Sequence, residues 1–194
     1  MKTFSALILS IAMACGTSAH ASDIDMPSLM QLFAASKSIK AEFVERKYLR
    51  VLDAPVESRG DLLFQAPSRL EKRTQHPRAE TMLIEGNKVS IERGTFKRSM
   101  SLDEFADMAS LVQSLTATFR GDQAGIEKYF DWRLTGPAAK WQLVLKPKHS
   151  KLFVLLREIR LSGTDSYVHT VETSLTDGDR SLMTLGRPIR VAAP

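Results

Sequence analysis

The residues that could do chemistry are few. Beyond position 21 the chain has three histidines, His76, His149 and His169, and no cysteine. His76 and His149 sit in loops beside prolines or lysines, and His169 falls on a strand pattern. None has a second histidine or a cysteine at ligand spacing, so no metal centre is expected. Asp177-Gly178-Asp179 matches part of a calcium loop but lacks the other ligands, and it reads as a turn. A serine, His169 and an aspartate could be assembled into a hydrolase, but almost any sequence allows that. There is no phosphate-cradling loop, dinucleotide fingerprint or nucleophile elbow. The acids Asp103, Glu104 and Asp107 open a helical stretch, where the helix dipole favours negative charge, so their role is structural. The expectation is no enzyme, no catalytic residue and no cofactor.

Composition gives the outer bounds. The chain has 194 residues, 43% of them hydrophobic and 25% charged, with a net charge of +5. That is enough for one domain with a real core. The basic residues are interleaved with acids along the whole length, unlike the concentrated patch of a nucleic-acid binder. No nucleic-acid partner is expected. A weak attraction to anionic lipid head groups fits the same charge.

The first residues have the form of a secretory signal. Lys2 precedes an apolar run from Phe4 to Ala14, and Ala19-His20-Ala21 supplies a small-x-small cleavage site. Residues 1–21 are read as a cleaved signal peptide and 22–194 as a single domain in the periplasm. Cys15, the one cysteine, lies inside that leader. Ala12-Met13-Ala14-Cys15-Gly16 also forms a poor lipobox, with Met13 a bad residue there. The rival reading makes Cys15 the acylated first residue of an anchored protein.

The elements follow from periodicity. Asp25 can cap a helix with Pro27 in its first turn, and Leu29, Leu32 and Phe33 form its stripe. Ile39 to Leu49 alternates, with Ile39, Ala41, Phe43, Glu45 and Lys47 on one face. The stretch from Val56 to Arg93 is an antiparallel meander. In it Gly60, Leu62 and Phe64 share a face, and Glu85-Gly86-Asn87-Lys88 forms a tight turn. Gly94 to Met100 reads as a further strand anchored by Phe96. Ser101 to Glu104 is a capping box. From Phe105 through Met108, Leu111, Val112 and Leu115 to Phe119 the apolar residues recur at helical spacing. Gly121 ends that helix, and Asp122 caps a short third one running through Ile126, Tyr129 and Phe130. Strands then return at Trp132 to Leu134, Trp141 to Lys146 and Leu152 to Leu161. Phe153, Leu155, Ile159 and Leu161 are in one register of the last of these. A hairpin joins Tyr167–Leu175 to Arg180–Leu185. The tail from Arg187 is weakly patterned. The fold class is α+β: a strongly bent antiparallel sheet, with helices on one face.

At the meander the chain resembles a family. Ile39-Lys40-Ala41-Glu42-Phe43-Val44-Glu45-Arg46, Ser58 to Pro67, Pro77, Ile84 to Val89, Leu143 to Lys148 and Arg157 to Gly163 are similar in order and spacing to LolA, the periplasmic carriers of outer-membrane lipoproteins. The resemblance covers nearly all of residues 22–194. It implies an unclosed antiparallel β-barrel with about three helices as a lid over the concave face, and acyl chains held between. It implies a cavity lined by Leu62, Phe64, Leu70, Met82 and Ile84 from the sheet, and by Phe105, Met108, Leu111 and Leu115 from the lid. It implies an acylated lipoprotein or glycolipid cargo, an inner-membrane exporter, an outer-membrane acceptor, and a monomer.

Two positions depart from the family pattern. The family arginine that precedes the strand-ending proline and locks the lid is Ala66 here, so the lock is absent or is supplied by Arg59 or Arg69. The next strand's inner face carries Leu70, Lys72 and Thr74 instead of large apolar residues. A buried Lys72 is costly unless it meets a lipid phosphate or a carboxylate, which makes Lys72 and Arg59 head-group candidates. This pattern is closer to LolA-like proteins associated with lipid exporters and acyltransferases. The cargo could then be a glycolipid or acylated polyene. The alternatives are an envelope sensor or scaffold with the same fold, and an anchored acceptor acylated at Cys15.

Overall fold

A computed structural model describes residues 22–102, 112, 116–148 and 155–191. The leader with Cys15, most of the expected lid helix, and Phe153 lie outside the described residues. The strands are β1 (Ser38–Tyr48), β2 (Val56–Gln65), β3 (Arg69–His76), β4 (Glu80–Glu85), β5 (Lys88–Arg93), β6 (Phe96–Ser101), β7 (Phe130–Thr135), β8 (Trp141–Pro147), β9 (Leu156–Thr164), β10 (Tyr167–Leu175), β11 (Arg180–Leu185) and β12 (Ile189–Arg190). They form one sheet in the order β6-β5-β4-β3-β2-β1-β11-β10-β9-β8-β7, with β12 paired to β1. Every pairing is antiparallel, and β6 and β7 do not pair, so the barrel is unclosed.

Helix α1 (Met26–Ala34) starts where the sequence places it. Asp25 caps it by accepting a hydrogen bond from the Ser28 amide at 2.8 Å. Met26, Leu29, Met30 and Phe33 are buried, a spacing that puts them on one helical face. Leu32, expected in that stripe, is only half-buried. Helix α2 (Gln123–Glu127) begins at Asp122, whose side chain accepts from the Gly125 amide. Residues 112 and 116–120 are helical. Their end docks on α1: Gly121 has φ +72°, and a Cβ there would lie 2.1 Å from the Met30 carbonyl oxygen. Only a glycine tolerates both conditions.

Two apolar clusters divide the interior. The larger joins α1 and Ile126 of α2 to Phe43, Phe130, Trp141, Leu143, Leu145 and the strands beside them. Phe33 meets Trp141 edge-on at 5.7 Å between ring centroids. The smaller joins Phe64, Leu70, Ile84 and Val89 of the meander to Leu102 and Val112. Phe119 packs against both clusters.

Four expectations differ. Phe96 is 54% exposed at the far end of the β5–β6 hairpin and anchors nothing. Phe130, expected to continue the third helix, opens β7 opposite Pro147 and is fully buried there; the helix is one short turn. Leu155 is 60% exposed before β9 begins, because an irregularity between Ser174 and Leu175 shifts the pairing and buries Leu156 instead. The weakly patterned tail supplies β12, opposite Ile39 and Lys40.

The bend of the meander has a specific point of stress. The register slips between Arg59 and Gly60, and a Cβ on Gly60 would sit 1.9 Å from the Arg73 carbonyl oxygen. Gly60→Ala is therefore expected to cost about 3 kcal/mol, since backbone must move. Gly186→Ala, whose Cβ would meet nothing nearer than 3.7 Å, is expected to stay within about 0.5 kcal/mol of the parent. Urea unfolding of the two variants checks the contrast.

Candidate functional site

The inner face of the meander is built row by row. Across the strands Ile39 pairs with Phe64, Phe64 with Leu70, Leu70 with Ile84, Ile84 with Val89, and Val89 with Met100. All six are apolar, because a sheet with one buried face alternates with period two. Of the sheet residues expected to line a cavity, Phe64, Leu70 and Ile84 are buried in this row's cluster, and Leu62 and Met82 pack against it. The structure thus brings those five together. Phe105, Met108, Leu111 and Leu115 lie outside the described residues.

A cleft runs between the two clusters. Its sheet side is Ile39, Ala41, Leu62 and Phe64, its helical side Phe33 and Phe119, and its far wall Val168 and Leu185. The rings of Phe64 and Phe119 stand 5.4 Å apart at its helical edge. The cavity volume is about 40 Å³, room for about three water-sized bodies and not for a fatty tail. Among the described residues the hollow is no wider than this seam. Sequence reasoning missed Phe33, Phe119, Val168 and Leu185 as cleft residues. The alternation of Ile39, Ala41 and Phe43 was a signal for the β1 wall, but the other contributors come from distant strands and helices.

Beyond the cleft the interior turns polar. Lys72 reaches across the sheet from β3 and makes an ion pair with the buried Glu45 of β1. Its ammonium also lies 4.8 Å from the centroid of the Phe43 ring. The same carboxylate accepts from the Ser181 hydroxyl at 2.6 Å and from Ser58 at 3.5 Å, with Lys47 4.0 Å away. Burial pushes the Glu45 carboxyl up. The Lys72 charge and hydrogen bond, the Ser181 hydroxyl and Lys47 push it down harder, and it ends below the ordinary carboxylate value. Lys72 has therefore found a carboxylate within the chain.

The other singled-out cations lie elsewhere. Arg59 is exposed and donates to Glu57 at 3.3 Å. Arg69 alternates out of the hollow and is bound by Glu71 and Glu85 at 3.1 and 3.0 Å. The Ala66 amide donates to the Lys37 carbonyl at 2.8 Å, and most of the lid that a lock would hold lies outside the described residues. Among the described residues no group of three or more histidines, cysteines or acids could hold a metal ion. No described helix is long and apolar enough to cross a membrane.

The family described as outer membrane lipoprotein carrier protein LolA-like matches residues 17–194. An outer-membrane lipoprotein carrier protein of Pseudomonas fluorescens strain Pf0-1 is 29% identical over 168 residues, covering 84% of this chain and 77% of that protein. A LolA superfamily protein of Nitrosomonas europaea has a TM-score of 0.47 at 11% identity, covering 88% of this chain and 96% of that one. The MucA/MucB complex of Pseudomonas aeruginosa gives 0.49 at 15% identity, and this chain spans 59% of that one's length.

The buried pair makes two predictions. Lys72→Met leaves the Glu45 carboxylate without its main partner and is expected to cost about 3–5 kcal/mol. The double change Glu45→Gln with Lys72→Met is expected to recover most of that. A urea double-mutant cycle reads the difference. Because Glu45 is held below its ordinary value of 4.5, it contributes stability that is present above that pH and lost as pH falls through the folded value. Unfolding followed from pH 7 to pH 3 should therefore show the parent losing more stability than the Glu45→Gln, Lys72→Met chain.

Proposed function

The chain belongs to the LolA-like family of outer membrane lipoprotein carriers, and from that premise we propose that it is a periplasmic carrier for acyl chains. Secreted by its signal peptide and cut after Ala21, it takes the tails of a lipoprotein or related lipid from an inner-membrane exporter. It carries them as a monomer toward an outer-membrane acceptor. No covalent step is involved.

The observation that carries this reading is the apolar seam between two clusters. A tail of about fourteen carbons gains about 10 kcal/mol on leaving water. It therefore needs a dry enclosure for the crossing, and release requires that the enclosure open. The cleft wall from Ile39 to Phe64, continued by the apolar row to Met100, supplies a dry surface. The seam is narrow, so loading widens it. Phe119 packs on both clusters and on the Phe64 ring. Leu62 packs on both clusters from the sheet side, so lifting Phe119 opens the seam from its helical side over Leu62, the kind of local opening a lid uses. Leu62, Phe64, Leu70, Met82 and Ile84 then contact the tail from the sheet, with Phe105, Met108, Leu111 and Leu115 above it. Head groups meet Lys72, with Arg59 outside.

Native mass spectrometry of the full chain purified from a bacterial envelope tests this. The expected spectrum shows the protein cut after Ala21 with an acyl lipid bound. Phe64→Glu places a carboxylate in the cleft between the apolar Ile39 and Leu70 and should lower lipid occupancy at least tenfold, an outcome in line with the cost of an unpaired buried charge. Leu63→Glu, one residue along and on the opposite face, should keep it. A lipid-free parent protein would overturn the proposal.

A further inference from the structure

The inner face of the meander changes polarity in steps, and the steps orient a ligand. The first row, Ile39 to Met100, is apolar from end to end. The next row pairs Ala41 with Leu62, Leu62 with Lys72, Lys72 with Met82, Met82 with Ile91, and Ile91 with Arg98. Two cations thus stand in a row whose other members are apolar. The third row pairs Phe43 with Gly60, Gly60 with Thr74, and Thr74 with Glu80. There Glu80 is engaged by Arg93, whose Nε donates to it at 2.8 Å. Exposure rises with the same steps: Leu70, Ile84 and Val89 are buried, while Lys72, Met82 and Ile91 are half-buried and Arg98 is exposed.

We propose that this graded face binds amphiphiles with an anionic head group, with the tail along the Phe64–Val89 row and the head over the Lys72–Arg98 row. The inference rests on the carrier reading above and adds the class of cargo. Two features allow it. The Lys72 ammonium has three donors, so it can bind a head group while keeping Glu45, which also accepts from the Ser181 hydroxyl at 2.6 Å. Arg98 is exposed at the rim and so is open to a head group. The two cations are three strand spacings apart, about 14 Å along the sheet. Lys72 meets the head at the inner end of the row and Arg98 meets it at the rim. A phosphate or a carboxylate supplies the same chemistry to either.

Displacement of the neutral dye N-phenyl-1-naphthylamine from the full chain tests the inference. Dimyristoyl phosphatidic acid is compared with dimyristoylglycerol, and myristic acid with myristyl alcohol. The charged member of a pair should displace dye at about tenfold lower concentration, the size of one charge-assisted hydrogen bond. Preference in the first pair alone assigns the site to phosphate; preference in both assigns it to anions in general. The ratio should fall toward one in Arg98→Gln, and in Lys72→Met made together with Glu45→Gln so that no carboxylate is stranded. Equal displacement by charged and uncharged lipids overturns the inference and leaves the carrier reading standing. A ratio unchanged in both variants also overturns it. Failure of every lipid to displace dye removes the carrier reading, and this inference with it.

Discussion

An apolar sheet face wider than any one helix can cover is the constraint behind the rest of this fold. Eleven strands in a row, open at β6 and β7, present inward residues from Met100 to Phe130. A helix is about 10 Å across, so the covering is split. Helix α1 and Ile126 of α2 seal the half around Trp141 and Leu145, while Leu102 and Val112 belong to the half around Phe64 and Ile84. A seam between the two coverings follows from that division. Among the described residues Leu62 and Phe119 bridge it, and Gly121 ties the end of the Phe119 helix to α1.

A single well-packed core would resist being parted, since removing contacts from a close-packed interior costs several kcal/mol at each large side chain. Two cores that share Leu62 and Phe119 among the described residues have fewer contacts to lose on parting. Family membership and this geometry point the same way. Among the described residues no group of three or more histidines, cysteines or acids could hold a metal ion, and a carrier asks for none.

Much of this was legible in the sequence, and the reasons are physical. Strands β1 to β5 read well because a half-buried sheet must alternate: Ile39, Ala41, Phe43 and then Gly60, Leu62, Phe64 keep their faces in the structure. The start of α1 was readable from Asp25 and Pro27. The hairpin at Asp177 to Asp179 was readable from turn chemistry. Phe130 was not, since an apolar residue just past a short helix satisfies either state, and burial in the larger cluster decided for strand. Leu155 and Leu156 exchanged roles through an irregularity in the neighbouring strand, which no local pattern records.

The interior charges show the limit more sharply. That Lys72 needed a partner was evident from its position among inward residues. That Glu45 would be the partner was not, because the contact runs diagonally over Gly60 between residues 27 apart. The central claim, that the row from Phe64 to Val89 and the seam beside it form the surface a fatty tail touches, has a direct test. A fatty acid carrying a photoreactive diazirine at its tail end is bound to the full chain, irradiated, and the adducts are mapped by peptide mass spectrometry. The account predicts adducts on Leu62, Phe64, Ile84, Val89 and Phe119; adducts confined to outward residues such as Leu63 and Leu83, or none at all, would contradict it.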